Sequence, residues 1–197
     1  MPTSAVVGGQ PSWAVLDAAR DYVRIALSRM FAPEHESLFD GDRAARMDHV
    51  APHLFAADPE GRVALLAVSG LPPGEAGLLV DAPVSFAELR RHLRRFLTVV
   101  RQRDGKQVLF RYYDPRVLRV FLPVCTPDEL RQFFGPLTAI HCQTEDPGHV
   151  LTYTLAGGRL RTDTATIPEF FHRRYGLPAD NVGRLMAVLT APRPATG

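Results

Sequence analysis

Lysine is almost missing from this sequence: Lys106 stands alone against 22 arginines, a bias that reads as genomic composition before it reads as function. Cysteine is nearly as scarce. Cys125 and Cys142 are too few for a disulfide-stapled secreted scaffold and fit a reducing compartment. No run approaches the roughly 20 apolar residues that cross a bilayer, so no helical membrane span is expected. The opening MPTSAVVGGQPS lacks the basic and apolar regions of a secretory signal. These absences lead to the expectation of a soluble, cytoplasmic chain with no membrane partner. Familiar catalytic signatures are missing too. There is no phosphate-cradling glycine loop, no G-x-S-x-G elbow and no H-E-x-x-H helix, which argues against the common enzyme classes.

What is present describes an ordinary globular protein. The 197 residues are 46% hydrophobic and 22% charged, a balance that excludes a disordered chain. A chain of this length buries roughly 70% of its unfolded surface and needs no metal or disulfide staple. Net charge is only +2 but is unevenly placed. Residues 90–119 hold ten cations against two acids, a local balance of +8. Residues 33–60 hold seven acids against two arginines, a local balance of −5.

Hydrophobic periodicity and punctuation then set out the elements. "WAVLD" (13–17) reads as a strand, with Asp17 capping a helix whose apolar stripe is Ala19, Val23, Ala26, Leu27 and Met30. "ESLFDGD" reads as a short strand ending in a turn at Asp40-Gly41, and Pro52 argues against a long helix in the ambiguous stretch 43–56. A short helix stopped by Gly70 and a strand within "GEAGLLVDAP" follow. Ser85 and Glu88 form a capping box for a helix that buries Phe86, Leu89, Leu93, Phe96 and Leu97. Its other side carries Arg90, Arg91, Arg94 and Arg95, expected to be largely exposed. Asp104-Gly105 joins two strands as a hairpin. Asp114 caps a further helix with Pro115 at its first position, and Thr126, Pro127 and Glu129 repeat the device. "LTAIHCQ" and "HVLTYTL" form a second hairpin, "GRLRT" a further strand, and two short helices close the chain.

The predicted class is α/β of the mixed α+β kind: a mixed sheet with hairpins, flanked by helices, plus a small C-terminal helical segment. Residues 13–163 are the expected domain and 164–190 a short helical annex, with flexible termini at 1–12 and 191–197.

Several constellations invite a chemical reading. His49 and His53 have the spacing of a zinc pair on a helix, but Pro52 interrupts it and no third ligand is marked. His141 and Cys142 are neighbours in a strand and so point to opposite faces, which separates a thiol from its base. Asp40-Gly41-Asp42 lacks the ligand series of a calcium loop. No metal, cofactor or catalytic residue is therefore expected. Two alternatives stay open: a small enzyme with a diffuse polar site, and a nucleic-acid module using the arginines and tyrosines of 90–119.

"WAVLDAA", "ESLFDG", "VAPHLF", "SFAELRRHLRRFLTV", "DGKQVLFRYYDPRVLRVFLP" and "TPDELRQFFGP" occur in that order. Together they make residues 13 to 136 resemble the adaptor chaperones of type VI secretion effectors, small bacterial proteins long catalogued as a domain of unknown function. The most specific part is "FRYYDPRVL", where Arg111, Tyr113, Asp114, Pro115 and Arg116 match the family motif; His53 stands where that family commonly has tyrosine. The resemblance implies a cytosolic, non-enzymatic protein. It would bind one effector, often through the effector's N-terminal region, and help load it onto the secretion spike protein. The candidate partner-binding residues are Arg90, Arg91, Arg94, Arg111, Tyr113, Arg116 and Arg119. Arg111 and Arg116 either reach a partner or pair with a carboxylate of the chain itself. Ser85, Glu88, Asp114, Pro115, Thr126 and Pro127 are read as structural.

Overall fold

The computed structural model describes residues 6–7, 10–69 and 77–190. The helix stop expected at Gly70 and the tail expected at 191–197 lie outside them. The described residues open with strands β1 (Val6–Val7) and β2 (Gln10–Asp17), which pair antiparallel. The sheet thus begins within the stretch expected to be a flexible terminus. Helix α1 (Tyr22–Phe31), β3 (His35–Ser37), α2 (Gly41–Met47), β4 (Pro52–Ala56), α3 (Arg62–Val68) and β5 (Gly77–Asp81) follow. Then come α4 (Phe86–Arg94), the ribbon β6 (Thr98–Val100) and β7 (Gln107–Leu109), α5 (Pro115–Phe121) and α6 (Pro127–Phe134). A meander β8 (Ala139–Gln143), β9 (His149–Ala156) and β10 (Arg159–Thr166) leads into α7 (Ile167–Tyr175) and α8 (Ala179–Thr190).

The main sheet runs β10-β9-β8-β5-β2-β4-β3, and every described strand pair is antiparallel. This is the mixed α+β class that the sequence predicts. Because strand side chains alternate with period two, each central strand feeds two cores. Trp13, Val15, Leu78, Val80, Ile140 and Cys142 point to one face, where Leu89, Leu93, Leu118, Leu130 and Phe133 of α4, α5 and α6 cover them. Ala14, Leu16, Phe55 and Leu79 point to the other, under Ile25, Val63, Phe170, Phe171 and Val182 of α1, α3, α7 and α8. The segment 164–190 is therefore a wall of the second core rather than an annex, because Phe170, Phe171 and Val182 are buried in it.

Local punctuation explains most element ends. Thr126 and Thr166 each head a complete capping box, with Glu129 and Glu169 bonding back to the cap amide. At α4 the Ser85 hydroxyl accepts from the Glu88 amide, one arm of the expected box. Asp114 accepts from the Arg116 amide with Pro115 in the first turn, as expected.

Three local expectations are corrected. Asp40-Gly41 is not a strand-ending turn: Asp40 stands at the N-terminus of α2, which Gly41 opens with φ +51°. Asp17 does not cap α1; Asp21 does, accepting from the Val23 and Arg24 amides. The face of α1 is also turned. Arg24, Ile25 and Ser28 are inside, whereas Val23 and Met30 are 48% and 74% exposed. The cause is Arg24, whose guanidinium reaches inward to the Leu66 and Ser69 carbonyls at the end of α3, at 2.7 and 2.6 Å.

Among the described residues no helix is long and apolar enough to cross a membrane, and no group of three or more His, Cys, Asp and Glu side chains could hold a metal ion.

Candidate functional site

Most of the candidate arginines are occupied inside the molecule. Arg90 leaves the outer side of α4 and turns onto β3 and the start of α2. Its Nε donates to the Ser37 carbonyl at 2.9 Å and its Nη2 to the Phe39 carbonyl at 3.1 Å. Glu36 at 2.9 Å and Asp40 at 3.8 Å complete the site, and only 14% of the side chain is exposed. Arg94 pairs with Asp40 at 2.6 Å. The basic helix and the acidic stretch 33–60 are thus two sides of one internal joint. The expectation that Arg90 faces solvent is corrected: two carbonyls and two carboxylates draw it inward.

The motif "FRYYDP" is a similar hub. Arg111 pairs with the buried Asp17 at 2.5 Å, tying the strand-to-helix joint to the end of β2. Arg116 forks onto Asp114 at 3.1 and 2.8 Å, and Arg20 approaches the same carboxylate at 3.6 Å. Burial raises the Asp114 carboxyl, but the Arg116 hydrogen bonds and charge outweigh it and hold it below the usual carboxylate range. Tyr113 is 1% exposed, so it contacts the core and not a partner; burial, with the nearby Asp17, pushes its hydroxyl up to about 12. Tyr112 is equally buried and donates to the Leu93 carbonyl at 3.0 Å. Arg119 donates to the Gln143 carbonyl at 2.8 Å beside Glu145.

Arg91 differs. It is exposed, and with Glu88, His92, Arg95, Arg131, Gln132, Gly135 and Pro136 it lines a cleft of about 530 Å³ between α4 and α6. The cleft is built around His92, whose Nε2 lies 2.8 Å from the Phe133 carbonyl. Burial lowers the His92 pKa, so the ring is neutral and donates to that carbonyl. Gly135, with φ +49°, lets the ring approach: a β-carbon there would sit 2.3 Å from His92 Cε1.

Of the paired motifs considered above, His49 and His53 fall on different elements. His53 is buried in β4, its Nε2 2.9 Å from the Asp48 carbonyl. Cys142 and His141 do face opposite cores, and burial pushes the thiol up to about 12, far from reactive. The free Cys125 is likewise raised, to about 11.

A polar constellation in the interior escaped the sequence reading. Asp81 on β5, Ser12 on β2, His141 on β8, Thr152 on β9 and Arg174 on α7 meet on the second face of the sheet. Ser12 Oγ donates to Asp81 at 3.1 Å, His141 Nε2 to Asp81 at 3.0 Å, and Arg174 pairs with the same carboxylate. The Thr152 hydroxyl lies 2.9 Å from His141 Nδ1. Arg174 also donates to Ser12 Oγ at 2.6 Å and lies over the Phe170 ring. Burial lowers the His141 pKa more than Asp81 raises it, leaving a neutral ring. Burial raises the Asp81 carboxyl, but His141 and Arg174 together bring it below its ordinary value. Both ring nitrogens are thereby engaged, so the cluster ties α7 to the sheet and offers no free base. Its signal in the sequence was a polar residue inside each of two apolar runs, "GLLVD" and "AIHCQ".

No curated protein and no solved structure matches the chain. A family does match, over residues 12–132, a span that begins in β2 and ends within α6. The chain belongs to that family, described as Domain of unknown function (DUF4123).

Proposed function

We propose that this chain is a cytosolic adaptor that binds a type VI secretion effector and helps load it onto the secretion spike protein. The class of partner rests on the resemblance carried by "FRYYDPRVL" and its surroundings. The observation that carries polypeptide binding is the ribbon of β6 and β7. Among the described residues these strands pair only with each other, and Val99, Val100 and Leu109 are 36%, 62% and 41% exposed. Open strand edges and exposed apolar side chains accept an extended polypeptide. A nucleic-acid reading loses support because Arg90, Arg94, Arg111 and Arg116 already hold carboxylates.

Co-expression with a type VI secretion effector of the same genome should give, for its own cargo, a complex that stays together in gel filtration. Deleting the gene should lower effector abundance or delivery. An effector equally abundant and equally secreted without this chain would end the adaptor reading.

A further inference from the structure

We infer that the cleft between α4 and α6 takes an acidic polypeptide segment, which on the adaptor reading is part of the carried effector. The inference starts from an uneven use of charge on one helix. Arg90 and Arg94 are held by Glu36 and Asp40. Arg91 and Arg95, one residue further round, are exposed and make no ion pair among the described residues. Both line the cleft, and Arg131 enters from the opposite wall, 56% exposed and paired with Asp128 of its own helix. Three guanidiniums therefore face one lining carboxylate, Glu88, across a space of about 530 Å³.

The walls are fixed before any partner arrives. The neutral His92 ring bonds across the cleft floor to the Phe133 carbonyl, and Phe96 packs edge-on against Phe133 with centroids 5.1 Å apart. The arginines consequently stand on a preset frame, and only their side chains lose freedom on binding. Guanidinium forks suit carboxylates in pairs. Arg91 in the last turn of α4 and Arg95 at its C-cap are four residues apart with helical backbone between them, so they present two forks on the same wall of the cleft. A segment with repeated Glu or Asp satisfies both forks, and an exposed site of this kind gives salt-sensitive association.

The test uses the full chain, a fluorescently labelled Glu-rich peptide, its Gln counterpart and a labelled single-stranded oligonucleotide. The Glu peptide should bind, the Gln peptide should not, and binding should weaken as salt is raised. Arg91→Glu with Arg95→Glu should weaken it by about tenfold or more. Because both side chains are exposed, the double variant should keep the thermal midpoint of the parent, and Arg131→Ala should give a smaller loss. Three results would each overturn the inference: no binding of the Glu peptide, equal binding by the double variant, or tighter binding of the oligonucleotide. Effector co-purification separates this from the adaptor reading. A double variant that still carries the effector with parental affinity removes the cleft and leaves the adaptor. A parent chain that binds the Glu peptide yet carries no effector keeps the cleft and removes the adaptor.

Discussion

On the face of the sheet covered by α4, α5 and α6, Phe96, Phe110, Tyr112, Phe121 and Phe133 interlock at ring-centroid separations of 4.8 to 6.0 Å. On the face covered by α7, the corresponding central position is a carboxylate, Asp81, holding a serine, a histidine and an arginine. An aromatic cluster loses stability in increments, since each ring contributes its own area and its own edge contacts. A buried charge network behaves otherwise: removing one member strands the rest without water. The two faces also divide differently along the chain. All five aromatics but Phe133 lie within the family-matched residues 12–132, and Phe133 adjoins them. The polar network straddles the boundary, with Ser12 and Asp81 inside it and His141 and Arg174 beyond. The network therefore ties α7 to the matched region alongside the second core, where Phe170, Phe171 and Val182 pack on Leu16, Phe55 and Leu79.

The sharpest way to break this contrast is Asp81→Ala. It leaves Arg174 with 13% exposure and no carboxylate, and His141 with an unmet donor. The expected loss is about 3–5 kcal/mol, read as a large drop in the urea midpoint. A loss of under about 1 kcal/mol would show that the network is no more costly to break than a surface pair. The same network should leave a trace in pH. The folded pKa of His141 lies below the ordinary 6.5, so below about 6.5 the unfolded chain takes up protons that the folded chain refuses. Stability is then fully present above that value and falls as pH drops through it. His53 and His92, also lowered by burial, act with the same sign. Asp81 adds its own loss only in the carboxylate range, since its folded pKa is depressed from 3.8. Urea midpoints at neutral and mildly acidic pH should show the first decline; a flat profile would mean that the histidines are solvated.

Next in size is Arg90→Glu, with Arg91→Glu as its neighbour. Arg90 loses two carbonyl acceptors and meets Glu36 and Asp40 with like charge. About 2 kcal/mol should be lost. Arg91→Glu, on the exposed side, should stay within about 0.5 kcal/mol. Equal midpoints for the two variants would erase the distinction between bound and free arginines on α4.

Much of this scaffold was legible because its signals are local. Asp104-Gly105 makes the ribbon turn, Asp114-Pro115 starts α5 and Thr126-Pro127 starts α6, each within a few residues of the signal. The misses came from distance. Arg24 finds its carbonyls 42 and 45 residues away, which turned α1 against its own apolar stripe. Arg90 finds Ser37 and Phe39 more than 50 residues away, so a basic helix face looked solvated when half of it was spent. Asp81 and His141 are 60 residues apart, and only strand register brings them together. Of the candidate arginines, Arg91 stayed exposed as the sequence suggested, while Arg116, 40% exposed, holds Asp114 and lines a second cleft with Arg119. The cleft of Arg91 depends on His92 and Gly135, which carry no local mark of it.

An effect smaller than those of Asp81→Ala and Arg90→Glu should come from the aromatic face, at its polar margin. Asp114 is 7% exposed, accepts from the Arg116 amide at 3.0 Å and holds the Arg116 guanidinium. Asp114→Ala removes a helix cap, worth about 1 kcal/mol. The guanidiniums it releases are not stranded, because Arg116 is 40% and Arg20 35% exposed, and water replaces the carboxylate. That is the contrast with Asp81, whose partners have no such outlet. Thermal unfolding of Asp114→Ala should therefore drop by a few degrees, and Asp114→Asn, which keeps a capping oxygen, should recover most of it. A loss as large as that of Asp81→Ala would mean that the motif joint is a closed network too. An unchanged midpoint would mean that Pro115 alone sets the start of α5.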